Sequence, residues 1–152
     1  MKKANLHRSF RESGQGLVIL IILLAIIGGG FWYLFNSRNT MDREARAFGR
    51  EMIDRLTVRH DPSFFNNGSP QFRLDFPPLQ QKDLIAQFTQ LGVPQQPIKI
   101  EETVTFENRF FSPHGHFTAH LFYPTSAGTL ELDVSHPVGK WQIDMMSYAP
   151  QQ

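Results

Sequence analysis

The sequence predicts an α+β chain: one N-terminal transmembrane helix, then two helices packed on a four-stranded antiparallel meander. Three observations predict it. Residues 16–35, GLVILIILLAIIGGGFWYLF, run for 20 residues without a charge. Two later stretches, 41–59 and 80–91, repeat apolar residues every three to four positions, the period of a helix with one buried face. From Ile98 onward the period becomes two, in four short runs divided by turn residues.

A helix rises ~1.5 Å per residue, so such a run covers ~30 Å, the thickness of a hydrocarbon layer. Its backbone groups are satisfied internally, as lipid requires. Trp32 and Tyr33 stand at its far end, where amphipathic rings favour the interface. Lys2, Lys3, Arg8 and Arg11 precede it, while Arg38, Arg43, Arg46 and Arg50 follow it closely. A short basic tail ahead of a first span stays in the cytoplasm by the positive-inside rule. Residues 1–15 are therefore expected to be a cytoplasmic tail. The globular part is expected on the other side of a cell's inner (plasma) membrane, in the periplasm.

Composition narrows the classes further. The chain has 152 residues, 41% hydrophobic and 19% charged, which excludes both a disordered chain and a multi-span transporter. Cysteine is absent, which removes disulfides, cysteine-held zinc, iron–sulfur clusters and a thiol nucleophile. A net charge of +1 argues against a nucleic-acid partner.

Residues 36–40 read as a polar linker. In the helix that follows, Met41, Ala45, Phe48, Met52, Ile53 and Leu56 form the apolar stripe. The six arginines between residues 38 and 59 belong to a solvated face or lie against anionic headgroups. Asp61-Pro62 ends it and opens a short helical turn through Phe64 and Phe65. Phe72, Leu74 and Phe76 alternate before Pro77-Pro78, which predicts a short extended segment. The second helix carries Leu84, Ile85, Phe88 and Leu91 on one face, with Gly92 at its C-terminal cap. The strands present Ile98, Ile100, Val104 and Phe106; Phe117, Ala119, Leu121 and Tyr123; Leu130, Leu132 and Val134; and Trp141, Ile143 and Met145 to the core. Short connections make them sheet neighbours. The globular domain is thus expected over 41–148, with 149–152 as a tail.

This order of elements, with LGVP at Leu91 to Pro94 and GKWQI at Gly139 to Ile143, resembles cystatin-like and nuclear-transport-factor-like (ketosteroid-isomerase-like) domains. The resemblance spans roughly 41–148. It implies a cone with a pocket between sheet and helices, a scaffold used by isomerases and by many binding modules. Isomerase-like members use an acid base with a Tyr–acid pair. Glu102, the one acid on the apolar face of its strand, and Tyr123, on the core face of its own, are the candidates for such a pair. The bland reading of Glu102 is a strand irregularity or a route to solvent.

The basic leader, SGQG, the apolar helix, an amphipathic helix and a meander also resemble a type IV pilin or pseudopilin. In that family a peptidase cuts after a glycine, and a glutamate stands at the fifth mature position. A cut after Gly14 or Gly16 places Ile19 or Ile21 there.

His114, His116 and His120 would share one face of a strand, which permits a metal site; surface histidines are the plainer reading. Phe64, Phe65, Phe72 and Phe76 are either core or an exposed patch for a ligand or partner. No phosphate loop or nucleophile elbow is present. No cofactor is expected. With no convergent set of polar groups, a non-enzymatic role is expected: a membrane-anchored module binding a lipid bilayer and a ligand or membrane-protein partner. A pilin-like subunit is the alternative, and an isomerase-like enzyme the second.

Overall fold

The computed structural model describes residues 12–108 and 111–151, with side chains from residue 16. The basic residues Lys2, Lys3, Arg8 and Arg11 and the final Gln152 lie outside the described residues. The chain forms two compact units, divided between Arg38 and Asn39.

The long helix α1 spans Glu12–Thr57 and belongs to both units. One expectation is corrected here. Residues 36–40, expected as a polar linker, are helical and do not interrupt α1, although the unit boundary falls among them. Nothing in NSRNT compels a break: it contains neither proline nor glycine, the two residues that oppose a helix most. Residues 12–15, assigned to the tail, are also helical. In the first unit the apolar stretch is solvent-facing, and its most apolar 18-residue window has a mean hydropathy of 2.6 with none of it buried. By length and composition it is a helix that can cross a membrane.

In the second unit α1 turns Ala45, Met52, Ile53 and Leu56 into the core. Asp61 caps a 3-10 turn over Pro62–Asn67, accepting from the Ser63 N–H at 2.8 Å. Ser69 then caps α2, Pro70–Asp75, accepting from the Phe72 N–H at 3.2 Å. This corrects the expected extended segment. The working period is four: Phe72 and Phe76 pack together at 4.8 Å, while Leu74 points to solvent. Helix α3 spans Pro78–Leu91 and ends at Gly92, whose φ of 83° favours a residue without a Cβ.

Strands β1 (Lys99–Asn108), β2 (Phe111–Phe122), β3 (Ala127–Ser135) and β4 (Gln142–Gln151) form one antiparallel sheet in the order β1-β2-β3-β4. Residues 149–151, expected as a tail, complete β4 against Ala127 to Thr129. One core row runs Glu102, Phe117, Leu132, Met146 across the sheet. A register shift between Asp133 and Val134 changes the parity of β4. Met146 therefore faces the core and Met145 faces solvent, the reverse of the simple alternation.

The core lies between the inner sheet face and a cover made of α1, the 3-10 turn, α2 and α3. Gly49 sets the approach of α1. A Cβ there would fall on the Phe117 ring, which is fully buried. Gly28, Gly29 and Gly30, by contrast, have nothing within 4 Å of an added Cβ. Alanine is favoured over glycine in a helix by ~1 kcal/mol, yet Gly49→Ala should destabilise the globular unit, because forcing a methyl into a filled core costs ~1–3 kcal/mol. Gly29→Ala should leave it unchanged. Urea unfolding of the full chain in micelles, followed by tryptophan fluorescence, measures both; equal midpoints for the two variants would refute this packing.

Candidate functional site

Glu102 sits on the core face of β1, opposite Phe117, with its side chain 6% exposed. It neither marks a strand irregularity nor reaches solvent. Its carboxylate accepts from Arg46 at 3.0 Å and from Arg50, which lies one turn further along α1. Arg46 also donates to Asp42 at 2.9 Å. Two of the six arginines placed on a solvated or headgroup-facing surface thus turn to the sheet. Burial pushes the Glu102 carboxyl up, but the hydrogen bonds from Arg50 and Arg46 outweigh it and hold it below the ordinary range.

The proposed partner of Glu102 lies elsewhere. Tyr123 is six residues beyond Phe117 in sequence, ~20 Å at the rise of a strand. Tyr123 is buried, its hydroxyl has no hydrogen-bond partner, and burial with the nearby Tyr148 pushes that hydroxyl up, so it stays protonated. No Tyr–acid pair forms, and the candidate catalytic set is corrected accordingly.

His114, His116 and His120 do share the outer face of β2, as expected from their spacing. Each is drawn to a different carboxylate: Glu107 at 3.9 Å, Asp133 at 2.5 Å and Glu101 at 3.3 Å. His116 and His120 are four residues apart, ~13 Å, far beyond the span of one coordination sphere. Among the described residues, no three such side chains come close enough to hold a metal ion. One relay does stand out. Asp133 takes the His116 Nδ1–H, and His116 Nε2 lies 3.4 Å from the Thr118 hydroxyl. This is the connectivity of a nucleophile–base–acid triad. His116 and Asp133, but not Thr118, line an open depression of ≈ 390 Å³ together with Thr103, Thr105, His114 and Asp144. His116 pairs with Thr103 on one side and Asp133 on the other, so the strand N–H groups serve the ladder and are not aimed at a developing oxyanion.

The phenylalanine cluster is core. Phe64, Phe65 and Phe72 are buried, with ring centroids 5.2–6.2 Å apart, and Phe76 closes the stack from the edge. Of the two readings open for these residues, core or an exposed patch for a ligand or partner, the structure shows the first.

A more accessible site, missed from the sequence, lies where β4 begins. Gly68 bridges Ile143, and the Ser69 N–H donates to the Ile143 carbonyl at 2.8 Å. This contact brings 66–73 beside 137–142. Between them is a cleft of ≈ 270 Å³ lined by Asn66, Asn67, Arg73, Val138, Lys140 and Trp141 among others. No carboxylate is among its lining residues. Trp141 is steadied by Phe48 at 6.2 Å and His136 at 4.9 Å. The two halves of the cleft are more than 60 residues apart in sequence, so no local motif announces it.

Compared with protein-family models, curated proteins and solved structures, the chain matches none.

The Glu102 clasp gives an asymmetric prediction. Arg46→Met with Arg50→Met strands a buried carboxylate and should cost ~3–5 kcal/mol. Glu102→Gln leaves arginines that can turn to water, and should cost less, ~1–3 kcal/mol. The sign with pH follows from the depressed carboxyl. Its contribution is full above the ordinary glutamate value of 4.5 and is lost as pH falls through the lower folded value. Urea midpoints recorded from pH 6 down to pH 3 should therefore fall less steeply for Glu102→Gln than for the parent. Parallel curves would show that the clasp contributes nothing.

Proposed function

We propose that the protein is a single-pass membrane protein whose globular unit is a non-catalytic binding or accessory module outside the cytoplasm. One observation carries the reading: an uninterrupted apolar helical stretch with no burial, continuing into a helix that supplies the core of a folded unit. Apolar surface of that extent is unfavourable in water and favourable in lipid. The non-catalytic part is supported by the polar groups themselves. Glu102 is engaged by two arginines, Tyr123 is sealed, and the Thr118–His116–Asp133 relay lies on an open surface without oxyanion donors.

The uninterrupted helix Glu12–Thr57 also favours a second reading, a pilin-like subunit whose helix N-terminal half packs in an assembly while its C-terminal half covers the sheet. Intact-mass measurement separates the two. Removal of 16 leader residues would lower the 17.5 kDa mass by roughly 1.8 kDa, at the average residue mass of this chain.

For the anchored module, the full chain should sediment with membranes and leave them only with detergent. Protease added to spheroplasts should digest the globular unit. A chain recovered in the supernatant after ultracentrifugation would refute the anchor, and full protection would reverse the orientation. Crosslinking in native membranes should capture a stoichiometric partner; a bare monomer would count against the accessory role.

A further inference from the structure

The cleft beside Trp141 combines three features that ordinary surface does not. The first is positive charge without compensation. Lys140 makes no ion pair among the described residues. Arg73 uses only its Nε, donating to the Gly68 carbonyl at 3.1 Å, which leaves its two terminal nitrogens without an acceptor among the described residues. Arg46, Arg50, Arg55 and Arg59 on this unit find carboxylates, and Arg43, which finds none among the described residues, stands apart from the cleft lining. The second is a wall of ring and apolar surface from Trp141, Pro137 and Val138, the last 89% exposed. The third is a set of neutral amides. Asn66 has no side-chain partner among the described residues, and Asn67 donates to the Ser63 carbonyl at 3.2 Å, leaving its own oxygen open.

We propose that this cleft binds an acidic sugar unit, a single ring bearing one carboxylate or phosphate. The two cations take the anionic group, in the charge-assisted geometry that arginine and lysine favour. The indole and its apolar neighbours take the C–H face of the ring, and the amides take its hydroxyls. A volume of ≈ 270 Å³ lies just below the ~300 Å³ lower range of ordinary small-molecule sites, so it accommodates one ring rather than a chain. The turn that carries Lys140 includes Gly139 at a φ of 66°, a conformation that favours glycine.

The inference rests on the binding role proposed above and names where that role is exercised. The chain has two tryptophans, so Trp32→Phe leaves Trp141 as the sole reporter within the cleft. The full chain in neutral micelles is titrated with glucuronate, glycerol phosphate, glucose and inorganic phosphate at matched ionic strength. Saturable change in Trp141 emission with glucuronate, absent with glucose, is expected. Loss of about tenfold or more in affinity is expected for Lys140→Gln and for Arg73→Gln, the usual effect of removing one charge-assisted contact. Both positions are exposed, so folding is not at stake; Val138→Asp, which sets a negative charge at the rim, should have the same effect.

Several results would overturn it. Equal response to glucose, or to inorganic phosphate alone, would show that no acidic ring is recognised. A response to glycerol phosphate only would assign the cleft to lipid headgroups instead. No saturable change with any probe at millimolar concentration would refute the site. Membrane retention is read separately, so a chain that stays in the membrane yet ignores every probe refutes the cleft alone. A chain that binds glucuronate but sediments with nothing refutes the anchor alone.

Discussion

The ring of Phe117 occupies the space that a side chain at position 49 would fill, and the globular unit is arranged around that approach. Because α1 comes so near β2, Arg46 and Arg50, three and one residues from Gly49, can reach across to β1. Glu102 stands opposite Phe117 in the ladder, so the close contact and the ion cluster are two parts of one junction. Carboxylates are rarely tolerated on an inner sheet face. Here the penalty of burial is offset by two guanidiniums whose outer ends still touch water. Leu132 and Met146 extend the same row into β3 and β4.

Much of this architecture is legible in the residue pattern. The four strands and their order follow from alternation and short connections, and α3 from its stripe and Gly92. The errors share a cause: a local pattern satisfied two structures, and periodicity or composition alone did not choose between them. Phe72, Leu74 and Phe76 fit a strand by alternation, but Phe72 and Phe76 also fit a helix, and the Ser69 cap decided it. Met145 lost its inward place to Met146 because one extra residue enters β4 opposite Asp133 and Val134. The polar stretch at 36–40 looked like an interruption by composition alone, although none of its residues breaks a helix.

Sites proved harder to read than elements, because chemistry depends on what crosses between elements. Spacing placed the three histidines on one face correctly, yet spacing along a strand also keeps them apart. Glu102 stood out as an acid in an apolar row, but its partners lie some 50 residues earlier on α1. The cleft beside Trp141 exists only because Gly68 and Ser69 pair with Ile143, a short parallel bridge that no periodicity encodes. Lys140 and Arg73 are unremarkable separately; their meaning comes from lining one wall-to-wall space with no acid among its lining residues.

The inward-facing acid has one more effect, on the open edge of the sheet. Among the described residues β1 has a strand neighbour on one side only, so its outer backbone groups are a template for a foreign strand. Adding a strand there would extend the inner row past Glu102, and the newcomer would have to lay its own side chain beside a carboxylate already committed to two cations. Lys99, Glu101 and Glu107 charge the opposite face of the same strand. The same glutamate that fastens helix to sheet thus makes the β1 margin a poor place for a foreign strand to add.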